Sequence, residues 1–329
     1  MSQKFSKEIL NLDCEKEAAR ITEKIRQVIP KELKRQGAVV AISGGIDSTV
    51  VAGLCVKALG PKKVLTLMMP EKDSSSTTKS LSQKLADHLG TDNVYEDISP
   101  ILDALGCYKR RDDAIREVIP EFTSEYKSKI ILPSVIDSDS FRLFSVVAQS
   151  PDGKEIKARL TPKAYLGIVA ATNFKQRVRK MLEYYHADRL NYVATGTPNR
   201  LEYDQGFFVK LGDGSADIKP IAHLYKSQVY QMARYLGMPD EICNRLPTTD
   251  TYSLPQSQEE FYFSLPYDKM DLCLYGKNND VPIEEVAEAV GITVEQVQRV
   301  YTDIEQKRRT TRYMHLPPIL MEKVKEIIL

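Results

Sequence analysis

Residues 38–49 constrain this chain more than any other stretch. Ala38-Val39-Val40-Ala41-Ile42 is a short apolar run, Ser43-Gly44-Gly45 interrupts it, and residues 49–59 continue at helical spacing. An apolar run of that length, stopped by glycines and followed by a helical pattern, predicts a buried parallel strand turning directly into a helix. Such a junction makes an anion site, because the unpaired N–H groups and the positive end of the helix point at one spot. The two glycines let backbone approach a phosphate with no Cβ in the way. Ser43, Ser48 and Thr49 add hydroxyls, and Asp47 offers a hard oxygen to a metal ion that bridges phosphates.

Neither of the common phosphate loops is present: the stretch lacks both Gly-x-x-x-x-Gly-Lys-Ser/Thr and Gly-x-Gly-x-x-Gly. Ser43-Gly44-Gly45-Ile46-Asp47-Ser48 instead resembles the PP-loop of the ATP pyrophosphatases, which split ATP between its α and β phosphates. A plain glycine turn between a core strand and a helix is the alternative.

With 42% hydrophobic residues in 329, the chain can bury a sizeable core. A net charge of +1 gives no electrostatic basis for binding nucleic acid or an acidic membrane. Cys14, Cys55, Cys107, Cys243 and Cys273 form no Cys-x-x-Cys pair, which argues against a zinc ribbon, an iron–sulfur cluster or a disulfide scaffold. No stretch reads as a signal peptide or a membrane span, so a soluble cytoplasmic protein is expected.

Taken in order, residues 8–35 carry apolar positions at helical spacing, with Pro30 as a kink or break, and read as a helical lead-in covering one face of a sheet. Residues 63–69 and 93–98 read as strands with a helix over 74–89 between them. That alternation predicts an α/β fold with a doubly wound parallel sheet flanked by helices. The pattern loosens over residues 107–160. Lys109-Arg110-Arg111-Asp112-Asp113 reads there as a solvated helix face, and residues 141–147 and 155–160 as a hairpin about Pro151-Asp152-Gly153. This segment is taken as an irregular insertion within a single domain spanning 1–329. A long helix, broken or bent near Thr172-Asn173, is expected over 164–187, and a buried strand over 190–194. Residues 206–220 are too polar and glycine-rich for core and read as a mobile lid. Helices are expected over 224–237 and 283–308, with an irregular loop over 246–266 opening the C-terminal part.

Several further stretches agree with the phosphate loop. They are Pro70-Glu71-Lys72-Asp73-Ser74-Ser75, Asn173-Phe174-Lys175-Gln176-Arg177-Val178-Arg179, Gly196-Thr197 with Glu202, residues 206–220, Leu224-Tyr225-Lys226, Pro247-Thr248-Thr249-Asp250 and Lys307-Arg308. Together they resemble the ammonia-dependent NAD synthetases, a branch of the ATP pyrophosphatases with an adenine nucleotide alpha hydrolase-like, Rossmann-like fold. The resemblance implies amide formation: the nicotinate carboxylate of deamido-NAD attacks the α phosphate of ATP, and ammonia then displaces AMP. Free ammonia is the expected nitrogen donor because no glutaminase domain precedes the loop.

By position, the resemblance implies that Ser43, Gly44, Gly45, Asp47 and Ser48 grip pyrophosphate, with Asp47 and Glu202 on Mg²⁺. Lys226 neutralises phosphate charge, Thr197 and Thr249 contact or close over ATP, and Asp213 on the lid closes over the reacting carboxylate. Asn173, Arg177, Arg179, Lys210, Asp217 and Lys307 fall to the deamido-NAD side. Read without the resemblance, Glu202 is a surface acid and Lys226 an exposed helix lysine. A homodimer through the helix at 164–187 is implied, with core packing as the alternative for its apolar stripe. Four features depart from the family pattern: a longer 107–160 segment, Pro198-Asn199 after Gly196-Thr197, Gln306 where a His is common, and Gly212-Asp213-Gly214-Ser215 where the lid usually reads Gly-Asp-Gly-Gly. Two alternatives remain: a ligase amidating another carboxylate, such as a sugar acid, and a non-catalytic nucleotide-binding protein on the same fold. Absent Cys-x-x-Cys pairs count against a tRNA thiolase, and the lid sequence against a GMP synthetase.

Overall fold

The computed structural model describes residues 4–134, 143–245, 251–263 and 265–326. Helix α1 (Cys14–Gln27) starts where the Asp13 side chain accepts from the Lys16 N–H. It gives way at Pro30, which has no N–H for the ladder, to one wide turn (Val28–Glu32). Strand β1 (Ala38–Ala41) then runs through the glycine turn into α2 (Ile46–Leu59). Strand β2 (Val64–Met68), α3 (Ser76–Leu89) and β3 (Asp92–Tyr95) follow, and α4 (Ser99–Ala104) and α5 (Cys107–Arg116) close the first half. Strands β4 (Lys127–Ile131), β5 (Ser145–Gln149) and β6 (Glu155–Arg159) form a separate antiparallel sheet. Next come α6 (Pro162–Leu190), β7 (Val193–Ala194), α7 (Arg200–Gln205), α8 (Lys226–Tyr235) and α9 (Asp240–Cys243). Helices α10 (Tyr267–Asn278), α11 (Ile283–Val290) and α12 (Val294–His315) end the chain.

The expected doubly wound architecture is present. The main sheet is parallel in the order β3-β2-β1-β7, with Val39 paired to Leu65 on one side and Ala194 on the other. Strand order reverses between β1 and β7, and in open α/β sheets the crevice beyond the carboxyl ends at such a reversal is the binding place. The glycine turn after β1 and the polar segment after β7 meet there. One face of the sheet (Val40, Val64, Met68) packs on α2, and the other (Val39, Leu65, Leu67) on Val178 and Ala187 of α6 and Leu102 of α4. Each fully buried Val or Leu in these layers contributes about 1.5–3 kcal/mol. Among the described residues no helix is long and apolar enough to cross a membrane.

Several local expectations change. Helix α1 packs mainly on α2 and α8, one layer further from the sheet than expected. Helix α6 is unbroken over 29 residues: the Thr172 hydroxyl donates to the Ile168 and Val169 carbonyls and stays within the helix. In the charge run, only Lys109 and Asp113 form the expected exposed pair. Arg111 and Asp112 are buried, with Arg111 Nη1 2.6 Å from Asp73 Oδ2 and its Nε 2.9 Å from Asp112 Oδ1.

The expected strand at 141–147 begins only at Ser145, and residues 141 and 142 lie outside the described residues. Its hairpin partner β6 is as expected, whereas β4, a third strand, was not foreseen. Helix α10 was also missed. It is buried on most sides (Met270, Leu272, Cys273, Leu274) and so lacks the alternation that marks an amphipathic helix, and a Cβ on Gly276 would come within 2.5 Å of Val286. The wide helical turn Glu259–Phe263 falls in a stretch read as loop, and α7 in one to which no element was assigned.

Candidate active site

The glycine turn opens into a cavity of about 1080 Å³. Gly44 has φ +66°, and a Cβ there would lie 2.8 Å from that of Leu81, so only glycine fits the turn. Gly45 caps α2 with no side-chain bond to the first-turn N–H groups, leaving these donors for a ligand. Ser48 braces the loop, accepting from the Ser43 N–H at 3.3 Å and donating to the Gly45 carbonyl at 3.1 Å. Ser43, Gly45, Asp47 and Ser48 line the cavity. Gly44 does not; its carbonyl faces Arg245 Nη1 at 3.4 Å.

Two further segments converge on Asp47. From the start of α8, Lys226, 2% exposed, donates its ammonium to Asp47 Oδ2. From the turn after β7, Asn199 Nδ2 donates to Asp47 Oδ1 at 2.9 Å. Asn199 also caps α7, its Oδ1 accepting from the N–H groups of Leu201 and Glu202 while its own N–H donates to Glu202 Oε2 at 3.1 Å. This is a capping box, and it fixes both carboxylates through one residue. Gln258 Nε2 donates to the other Glu202 oxygen at 3.2 Å.

Burial, with the Asp47 charge beside it, pushes the Glu202 carboxyl up to about 8. Burial alone would lower the Lys226 ammonium, but Asp47 and Glu202 outweigh it and raise it. Two carboxylates brought together beside an anion-binding helix start are a donor set suited to a hard divalent cation. Under α8, Asp271 accepts from the N–H groups of Lys226 and Ser227, and burial raises its carboxyl to about 7.

The lid loop lies over this centre. Asp213 Oδ1 accepts from the Val209 N–H at 2.8 Å, and burial raises its carboxyl. Lys210, on the same loop, donates to the Tyr313 carbonyl at 2.7 Å at the end of α12. Along α6, Asn173, Arg177, Arg179 and the buried pair Lys180–Glu183 line the cavity. Arg179 Nε donates to the Met69 carbonyl at 3.1 Å, and Arg177 Nε to the Lys210 carbonyl at 3.4 Å. Thr197 and Lys307 also line it, Lys307 with its ammonium 2.7 Å from Asp303 Oδ2 and 4.4 Å from the Tyr262 ring centre.

Asp217 is placed elsewhere. Its carboxylate accepts from the Ala194 N–H at 2.8 Å and from the Tyr184 hydroxyl at 3.2 Å, tying the lid to β7 outside the cavity lining. Thr249 lies outside the described residues.

Sequence reasoning missed Asn199 and Gln258, and it assigned no role to the buried network about Lys175. The Lys175 ammonium reaches Glu71 Oε1 (2.9 Å), Asp73 Oδ2 (2.7 Å) and the Thr251 carbonyl (2.8 Å), and the Tyr108 hydroxyl donates to Glu71 Oε2. The spacing Asn199-x-x-Glu202 was a legible signal for the capping box. Nothing local marks Gln258.

A family model described as NAD synthase matches residues 17–121 and 150–313. The NH(3)-dependent NAD(+) synthetase of Rhizobium meliloti (strain 1021) is 55% identical over 323 residues, 98% of this chain and 96% of that one. Its counterpart in Mesorhizobium japonicum is 53% identical over 97% of this chain and 100% of that one. Among solved structures, the NH3-dependent NAD synthetase from Campylobacter jejuni in complex with the nitrate ion superposes with a TM-score of 0.61. The overlap takes in 94% of this chain and 100% of that one at 21% identity, a likeness of fold.

Proposed function

Because this chain belongs to the NAD synthase family, we propose that its cavity carries out ammonia-dependent synthesis of NAD from deamido-NAD, with ATP bound on the glycine turn after β1. The observation that carries this reading is the convergence of Asp47, Glu202 and Lys226 from three separate segments on one anion-binding helix start.

A carboxylate is a poor acyl donor. Attack by a carboxylate oxygen of deamido-NAD on the α phosphorus forms an O–P bond and breaks the bond to the bridging oxygen, giving a mixed anhydride and pyrophosphate. Ammonia nitrogen then attacks the acyl carbon, the C–O bond to AMP breaks, and the amide forms as nitrogen sheds a proton. The N–H groups of the α2 start, with Ser43, Ser48 and Lys226, stabilise charge growing on pyrophosphate. Asp47 and Glu202 would hold Mg²⁺, which would supply charge neutralisation on the phosphate oxygens. Asn199, hydrogen-bonded to both carboxylates, fixes their positions. Asp213, with a carboxyl raised by burial, is suited to take the proton that nitrogen sheds. Arg177, Arg179, Asn173, Lys210 and Lys307 orient deamido-NAD.

The chain works as one domain and as a homodimer. Leu166, Met181 and Tyr185 stand exposed along the outer face of α6, an apolar stripe that a second copy covers.

The test is pyrophosphate release with ATP, Mg²⁺ and ammonium. Release that requires deamido-NAD, with NAD and AMP formed in equal amounts, is expected. Release driven only by a different carboxylate would replace deamido-NAD as acceptor. Sedimentation at twice the 37.3 kDa chain mass, lost in Met181→Asp, checks the dimer.

A further inference from the structure

Between the two stretches matched by the family model, residues 122–149 go unmatched, and there the chain builds β4 and β5. Leu132, just after β4, and Phe144, just before β5, both line the substrate cavity. Phe144 stacks on Tyr165 of α6, with ring centres 4.2 Å apart and planes 17° from parallel. The sheet behind it is a built core, with Ile130 and Val146 buried against Ile168 and Tyr252. Phe144 and Tyr165 themselves are only partly buried, so ring surface remains open to the cavity.

The neighbouring buried cation is not available to a ligand. Lys175 has three N–H groups, and Glu71, Asp73 and the Thr251 carbonyl take all three. Among the described residues this lobe therefore offers aromatic ring surface beside a cation already fully paired, which suits the face of a planar ring. Met69, just after β2, and Tyr95, the last residue of β3, also line the cavity, at the carboxyl ends of the strands where a nucleotide bound on the turn after β1 would lie. A volume of about 1080 Å³ exceeds what one substrate of drug size needs.

We propose that Phe144, presented by the inserted sheet and stacked on Tyr165, is a specificity-determining residue that packs against a heterocyclic ring of the acceptor. The assignment rests on the function proposed above, with deamido-NAD as acceptor.

Steady-state kinetics and calorimetric binding of deamido-NAD without ATP test it, on wild type, Phe144→Ala and Phe144→Tyr. Phe144→Ala is expected to raise KM and Kd for deamido-NAD about tenfold while KM for ATP stays within about twofold, and Phe144→Tyr to restore both. Should the alanine variant not fold, Phe144→Leu keeps the volume without the ring and is expected to show the same split. An equal rise in both KM values, a rise for ATP alone, or no change overturns the proposal. Wild-type protein that does not respond to deamido-NAD overturns the function itself, before any variant is compared.

Discussion

The phosphate end and the acceptor end of the cavity are built by different means. At the phosphate end, Asp47, Asn199, Glu202 and Lys226 hold one another through hydrogen bonds that need particular atoms, and Gly44 is fixed by a backbone angle. At the acceptor end, the Phe144 and Tyr165 rings stand with longer side chains of α6, Arg177 and Arg179 among them. The long cations there, Lys210 and Lys307, are tied to carbonyls of Tyr313 and Tyr262. Polar geometry of the first kind tolerates little change, because a buried group without its partner is costly. Surface of the second kind can be supplied by many residues, including those about β4 and β5, which lie between the two stretches that the family model matches. Chemistry is thus fixed where partners are few, and recognition is free to vary where they are many.

Breaking the phosphate end should have the larger consequence. Asp47→Ala leaves the Lys226 ammonium buried beside Glu202 alone. It is expected to abolish deamido-NAD-dependent pyrophosphate release and to lower stability by about 3–5 kcal/mol in urea unfolding. An active Asp47→Ala enzyme would remove the distinction between the two ends.

Lys175→Met tests the seam between them. Glu71 and Asp73 lose their shared cation, and about 3 kcal/mol of stability is expected to go with it. A loss under 1 kcal/mol would show that Arg111 and Tyr108 suffice.

Glu202→Gln sharpens the electrostatics. The folded carboxyl lies at about 8, above its ordinary 4.5, so the folded chain keeps a proton that the unfolded chain releases. That stabilisation is full below about pH 4.5 and is lost as pH rises through 8. Between pH 5 and 9 the wild type is expected to lose on the order of 2–4 kcal/mol more than the variant. Asp271, also raised, contributes equally to both proteins and cancels. Parallel stability curves would place the Glu202 proton elsewhere.

Asp217→Asn should matter least. Its carboxylate braces the Ala194 N–H, so a loss of about 1 kcal/mol and a KM for deamido-NAD within twofold of wild type are expected. A large rise in that KM would bring Asp217 into the acceptor end after all.

Legibility in the sequence follows the same division. The strand–glycine–helix junction could be read because strand, turn and helix start are local, and each leaves its own pattern. Asp47, Glu202 and Lys226 were legible through the family's motifs, although 179 residues separate Asp47 from its lysine. Arg111 misled because charge runs are usually solvated, and only the fold brings Asp73 to it. Thr172 misled because a polar pair in a helix pattern reads as a break, whereas its hydroxyl bonds inside the helix. Helix α10 was invisible because burial on most sides erases periodicity, and β4 because one of its inward residues is Ser128, so no apolar alternation marks it. Gln258 reaches Glu202 only through tertiary packing.

The unbroken α6 sets a length standard for the whole cavity. At 1.5 Å per residue it runs about 43 Å, and Tyr165 and Glu183 stand about 27 Å apart along it. Adding or deleting one residue within it would turn everything beyond by about 100°, swinging Arg179 and Glu183 out of the cavity and the outer stripe inward. Substitution within α6 therefore disturbs the cavity locally, whereas a change in its count disturbs all of it. Changes in chain length have to be absorbed elsewhere, and residues 122–149, which carry β4 and β5, are the stretch within its bounds that the family model leaves unmatched.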